Sequence, residues 1–309
     1  ANQTKYPLSA ISAADQMKVH NNYIEQAVMK NISGAFNVIQ NANGSAITVD
    51  TSNVLDLFEE ADTKLGAVDA PFEGRIAVFG PHTIGVLRKV KAQRESALGD
   101  SVLENGVIGP WNGYTVIQNN NLPYTASLKL ATKPTATNTV TIAGVTFEFV
   151  ADIANDASDA SYIKVLIGDA AANSRANLKN AIEGDATSKG TTWKEATGSV
   201  SAYNRFVLNE KRNIAITSDA DMVLTGYGDI VVSETLTDAA DVWSGQEQSA
   251  IMGNKGMIDL VLQIQEIDTI KKEKGFATLV KSMIGLGTKM FDDGARVSCR
   301  VRIDASAWK

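Results

Sequence analysis

The apolar positions of the chain change period several times along its length, and each change marks an element. Met17, Ile24, Val28, Ile32 and Phe36 recur at steps of seven and four, which predicts one long helix with a single apolar stripe. Ser12 and Asp15 have the spacing of a capping box and place its start near Ser12. Asn41-Ala42-Asn43-Gly44-Ser45 predicts a turn after it. A second helix, capped by Thr51 or Ser52, carries Val54, Phe58, Ala61 and Leu65 inward and Asp56, Glu59, Glu60 and Asp62 outward, and stops at Gly66. Arg75 to Phe79 then predicts a short strand. Gly80-Pro81 turns the chain into a third helix with Ile84, Leu87 and Val90 inside. Trp111 to Ile117 predicts another strand, and Asn119 to Pro123 closes this region.

The texture shifts after Pro123. Thr139–Ile142 and Val145–Val150 flank Ala143-Gly144, the signature of a two-residue hairpin. Ser174 is placed to cap a short helix with Leu178 and Ile182 inside and Gly184 at its end. Phe206–Leu208 and Asn213–Ile216 predict further strands. Residues 124–244 therefore read as a small α+β module. Beyond it, Met257 to Ile270 is apolar with β-branched emphasis. The last segment alternates, with Ala295, Val297, Cys299, Val301 and Ile303 on one face and Arg296, Ser298, Arg300 and Arg302 on the other.

Composition narrows the function. The chain has 309 residues, 44% of them apolar and 21% charged, which is a core-forming balance. Its net charge of −6 argues against a protein that grips bare nucleic acid through overall charge. By segment, residues 1–123 carry −3, residues 124–244 carry −5 and residues 245–309 carry +2. One cysteine, Cys299, excludes an internal disulfide framework and a cysteine-based zinc site. No apolar run reaches the length of a membrane span.

The chemical inventory is nearly empty. His20 and His82 stand far apart in sequence, with no nucleophile motif beside either. Gly285-Leu286-Gly287 lacks the third glycine of a dinucleotide fingerprint, because Met290 stands there. Asp152, Asp156 and Asp159 do not have calcium-loop spacing and read as a solvated loop. No cofactor and no enzymatic activity are expected. Two basic clusters remain: Arg88, Lys89, Lys91 and Arg94 at the end of the third helix, and Lys271, Lys272 and Lys274 before Gly275. Each suits either a helix terminus or surface, or a contact with an acidic partner. Neither has interleaved aromatics for base stacking.

The order of elements resembles that of tailed-bacteriophage major capsid proteins with the Hong Kong 97-type fold. Asp15 to about Ile32 is similar to the spine helix of that family's peripheral domain. Leu55–Ala61, then Ile76–Pro81, then Leu87–Val90 resemble its axial domain. Asn112–Ile117 and Asn121-Leu122-Pro123 are similar to the family's strand and exit. The resemblance spans about residues 13–123 and 246–305, and it implies an α+β fold in four parts. Residues 1–50 would be the N-terminal segment and spine helix, 51–123 the first part of the axial domain, 124–244 an insertion domain and 245–309 the closing part. Met257 to Ile270 would run back through the axial domain, and Phe276 to Ile303 would supply a helix and the last strand. The family places an extended arm and a long hairpin, the E-loop, before the spine helix; here about 12 residues precede it.

What the resemblance implies for function is self-assembly into pentamers and hexamers of an icosahedral shell around double-stranded DNA, held non-specifically. It also implies scaffolding, portal and decoration proteins as partners, assembly in the host bacterial cytoplasm and a place in the virion. The alternatives of other classes are the shell protein of a bacterial cargo compartment with the same fold, or a phage tail or decoration protein. The basic residues named above are the candidate inter-subunit contacts.

Overall fold

In the computed structural model, residues 8–93, 109–154, 161–196, 208, 211–271 and 278–308 are described, the side chains of 8–16 and 264–284 excepted. The fold is mixed α+β and is built on a long strand, β13 (Trp243–Asn254). One edge of β13 pairs with β5 (Pro123–Lys129), across a bulge between Ser244 and Glu247, and then from Ile251 with β2 (Arg75–Phe79). The other edge pairs with β16 (Ser298–Asp304), which takes β1 (Asn37–Ile39) as a parallel neighbour. β5 continues the sheet to β11 (Asp221–Tyr227) and β10 (Ala215–Ile216). β2 continues it to β4 (Tyr114–Gln118) and β3 (Pro110–Trp111). The resulting nine-stranded sheet draws strands from both sides of residue 123 and both sides of residue 244.

A second sheet of five strands has the order β12 (Val232–Glu234), β6 (Thr139–Ile142), β7 (Val145–Val150), β8 (Ile163–Leu166) and β9 (Trp193–Lys194). The β6–β7 hairpin turns at Ala143 (φ 49°) and Gly144 (φ 81°), the left-handed pair that a two-residue type I′ turn demands. The third sheet is a hairpin of two long strands, β14 (Asp259–Lys271) and β15 (Thr278–Lys289).

The helices are α1 (Leu8–Met29), α2 (Asp56–Gly66), α3 (Pro81–Ala92), α4 (Ala171–Glu183) and the short α5 (Asp292–Arg296). α2 buries Leu57, Phe58, Ala61 and Leu65 against the nine-stranded sheet, as its spacing predicts. α3 begins at Pro81, whose missing N–H costs nothing in a first turn, and buries Ile84, Leu87 and Val90. No helix among the described residues is long and apolar enough to cross a membrane.

Several local expectations are corrected. The first helix starts at Leu8, so Ser12 lies inside it and does not cap it. Its stripe is covered only in part: Ile32 is fully buried in the short 3₁₀ turn that follows, whereas Met17 is 67% and Phe36 59% exposed. α2 starts at Asp56 with no side-chain cap, so neither Thr51 nor Ser52 caps it; in the turn before it Asp50 Oδ1 accepts the N–H groups of Ser52 (2.7 Å) and Asn53 (3.1 Å). Trp111 to Ile117 is a hairpin, because Asn112-Gly113 adopts the I′ pair of positive φ values at 45° and 79°. Ser174 lies within α4, and its buried Oγ accepts the N–H of Gly168 at 3.0 Å. Thr278–Lys289 forms strand β15, and the helix found before the last strand has five residues; Phe276 and Ala277 lie outside the described residues. Phe206 and Val207 lie outside the described residues.

Candidate assembly surfaces

The basic cluster of α3 is divided by its own helical period. Arg88 and Lys89 are exposed and have no ion-pair partner among the described residues. Lys91, two positions on, is 3% exposed, and its ammonium lies 5.6 Å from the centroid of the Trp111 ring. Its aliphatic stem is packed and its charge faces an aromatic, so it belongs to the body of the protein rather than to an open surface. Arg94 lies outside the described residues. Of the second cluster, Lys271 ends β14. Lys271 is paired in register with Thr278, and Lys272 and Lys274 lie outside the described residues. Among the described members, Arg88, Lys89 and Lys91 thus lie on α3 and Lys271 at the end of β14.

That hairpin is the most unusual surface. Twelve paired positions run from Asp259↔Lys289 to Lys271↔Thr278. At about 3.3 Å per residue this is a rod of roughly 40 Å. A two-stranded ribbon exposes both edges and is marginally stable alone in water. α1 packs on it near its base, where Asn31 Nδ2 donates to Thr288 Oγ1 (3.0 Å) and Thr288 Oγ1 donates to the Ala27 carbonyl (3.1 Å). Leu260, Leu262, Leu286 and Thr288 share the face toward α1, because directly paired residues project to one side. Val261, between the two leucines, projects away. Exposure is nevertheless 42% at Leu260, 68% at Val261 and 48% at Leu262. Phe36 and Phe291 (51% exposed) extend this apolar surface at the hairpin base, where the Phe36 N–H donates to the Ala295 carbonyl at 3.1 Å.

By contrast, two of the three arginines expected on the outer face of the last strand, Arg300 and Arg302, share one internal carboxylate, while Arg296 ends α5 outside the strand. Arg302 is held by Glu247 Oε2 (2.6 Å), Gln40 Oε1 (2.8 Å) and the Gly44 carbonyl (2.6 Å). Arg300 donates to Glu247 Oε1 (3.1 Å) and Ser249 Oγ (2.9 Å). Glu247 comes from the neighbouring strand β13, so only the register could reveal it. The same holds for Asp62, which accepts from Arg75 (2.5 Å), Tyr114 (2.8 Å) and Asn112 (3.0 Å) and ties α2 to the sheet.

The residues read as chemically inert keep structural partners. His82 stacks on Trp308 at 5.2 Å, and burial pulls its pKa below the ordinary histidine value. Burial pushes the Cys299 thiol up to about 11. Asp152 Oδ1 accepts the Ala154 N–H at 2.8 Å in an open turn; Asp156 and Asp159 lie outside the described residues. No group of three or more His, Cys, Asp or Glu side chains among the described residues could hold a metal ion.

No family model matches the sequence, and no curated protein matches it. A solved chain from Mycobacterium phage Che8 superposes with a TM-score of 0.44 at 12% identity. The match covers 94% of this chain and 61% of that one, so the present chain spans about three-fifths of the length of its structural neighbour.

Proposed function

We propose that this chain is a shell-forming subunit, the major capsid protein of a tailed bacteriophage with a Hong Kong 97-type fold. The observation that carries the reading is the β14–β15 hairpin: about 40 Å of two-stranded ribbon with three consecutive apolar residues, Leu260 to Leu262, left exposed by the single chain. Each such side chain gains about 1.5–3 kcal/mol on full burial. No element among the described residues covers them, and a ring of identical subunits supplies one. The near-empty chemical inventory agrees with a protein that acts through shape and contact.

On this reading residues 1–50 provide the N-terminal segment and spine helix, 51–123 and 245–309 the axial and peripheral parts, and 124–244 an insertion domain. Pentamers and hexamers close by rotation, and many modest interfaces sum to a stable shell. The enclosed double-stranded DNA is confined rather than gripped, which a net charge of −6 permits. Scaffolding, portal and decoration proteins are the expected partners, assembly takes place in the bacterial cytoplasm and the final location is the virion.

The test is negative-stain electron microscopy with a sizing column on the chain expressed in bacteria. Closed shells or stable pentamers and hexamers are the expected result. Tubes or open rings would assign it to a tail component. Shells from infected cells that carry no DNA genome would assign it to a cargo compartment.

A further inference from the structure

α1 packs on the hairpin through β15, where Thr288 accepts from Asn31 and donates to the Ala27 carbonyl. β14 has no strand partner other than β15 among the described residues, so its outer edge is unpaired there. Asp259, Leu260, Val261, Leu262 and Gln263, the first five residues of β14, are all exposed. Leu260 and Leu262 project to one face and Val261 to the other. A body laid on either face would cover one set and leave the other. A strand added along the edge reaches both faces at once, because its own side chains alternate in the same way. It also widens a two-stranded ribbon that is marginally stable alone in water.

We infer that β14 pairs edge to edge, antiparallel, with β14 of a second copy of the chain about a two-fold axis at Val261, a contact that rests on the assembly reading above. The residues of the edge select this partner. Asp259-Leu260-Val261-Leu262-Gln263 runs polar, apolar, apolar, apolar, polar, and so matches its own reverse. With Val261 opposite Val261 of the second copy, Leu260 stands opposite Leu262 and Asp259 opposite Gln263. Apolar side chains then meet on both faces, and the carboxylate meets an amide. A slip of one, two or three residues in either direction sets Asp259 or Gln263 against a leucine or a valine. A parallel pairing in register sets Asp259 beside Asp259 of the second copy, and like charges directly opposite destabilise a ladder. The antiparallel contact uses the same surface on both copies, so it is isologous and closes as a pair. In a shell it joins subunits of two neighbouring rings. Three apolar side chains per copy are few beside the roughly 20–30 residues a side of an interface that stands alone. The pairing therefore holds as one contact among many.

The test places single cysteines in the full-length chain, oxidises the assembled fraction from a sizing column and reads inter-chain disulfides on a non-reducing gel. Cys299 is left in place because it is buried. Opposite residues on adjacent antiparallel strands lie about 4.5–5.5 Å apart at Cα, within reach of a disulfide. Val261→Cys should cross-link to itself roughly tenfold faster than Lys289→Cys, from the high effective concentration of docked groups. Lys289 is an exposed position on β15, and the β15 strands of the two copies would lie three strand spacings, about 14 Å, apart. Leu260→Cys and Leu262→Cys should each stay unlinked alone and should cross-link when the two variants are co-assembled. Particles in which Val261→Cys links no faster than Lys289→Cys would overturn the pairing and leave the assembly reading intact. Leu260→Cys linking to itself as fast as the mixture would put the axis elsewhere and likewise overturn the pairing. A chain that stays monomeric on the sizing column and gives no cross-link would overturn both.

Discussion

Replacing Asp62 by Ala removes three partners at once and tests how α2 is bound to the sheet. Its Oδ1 accepts from Arg75 (2.5 Å) and from the Tyr114 hydroxyl (2.8 Å), and its Oδ2 from Asn112 (3.0 Å). Arg75 is 1% exposed, so the substitution strands a buried cation. Stranding a fully buried charge costs about 3–5 kcal/mol. Two features reduce this. Arg75 keeps the carbonyls of Pro71 (3.0 Å) and Ala70 (3.1 Å) and lies 4.2 Å from the Phe72 ring centroid. The Asp62 side chain is itself 28% exposed, so water already screens part of the pair. About 2 kcal/mol remains for the ion pair, and about 1 kcal/mol is added for the buried Tyr114 hydroxyl left without an acceptor. The sum, about 3 kcal/mol, is to be read from urea unfolding followed by circular dichroism, with Glu60→Ala as the control. Glu60 pairs with Lys64 on the surface, where an i,i+4 pair contributes about 0.5 kcal/mol or less. Asp62→Ala/Arg75→Leu should recover more than half of the loss, because no charge is then stranded. If Asp62→Ala costs no more than Glu60→Ala, the network does not anchor α2 and the reasoning fails.

Three further outcomes follow from particular contacts. Val261→Glu, at a position 68% exposed on the hairpin face away from α1, should change unfolding of the isolated chain by less than about 0.5 kcal/mol yet prevent particle formation; equal particle yield on the sizing column would show that this face stays open. Gly294→Ala places a Cβ 2.2 Å from the Met257 carbonyl oxygen, a backbone contact that cannot rotate away, so thermal unfolding should drop by several degrees, and an unchanged midpoint would contradict the packing of α5 on that turn. The Cys299 thiol is raised from 9.0 to about 11 by burial, so the unfolded chain ionises first; stability contributed by this group is present below pH 9 and is lost as pH rises through 11. Cys299→Ala should flatten that part of the pH profile, and an identical profile in both proteins would refute the role of the thiol.

Where the chain's own periodicity decided the outcome, the elements were legible. β2 occupies Arg75–Phe79 as the apolar run predicts, and α3 begins at Pro81. The β6–β7 hairpin turns at Ala143-Gly144 because that pair tolerates the left-handed backbone. The errors fall where two local rules compete. Trp111 to Ile117 reads as one β-prone run, but Asn112-Gly113 inside it is also a I′ turn, and the turn prevails because it pairs Trp111 with Tyr114. Thr278 to Lys289 has neither a clean period of two nor one of 3.6, and pairing with β14 settles it as a strand. Of the candidate contacts, Arg88 and Lys89 are exposed while Lys91 is buried, because it follows the buried Val90 on the helix and Trp111, twenty residues on, lies against it.

What the sequence determined by itself is short-range: the α+β class, the buried stripe and end of α2, the start of α3 and the β6–β7 hairpin, and the absence of a recognisable catalytic motif. These rest on propensity, turn geometry and side-chain period, all of which act over a few residues. The tertiary structure alone decided which charges were still open to a partner. Arg300 and Arg302 look as available as Arg88 and Lys89 when read along the chain, yet Glu247 pairs with both of the first two from across a strand boundary, and no acid among the described residues pairs with Arg88 or Lys89. It also decided that residues 259–271 and 278–289 leave the body as a paired rod instead of joining the central sheet. Both outcomes depend on register between segments far apart in sequence, and a register is set by the sum of many weak cross-strand contacts that no local pattern encodes.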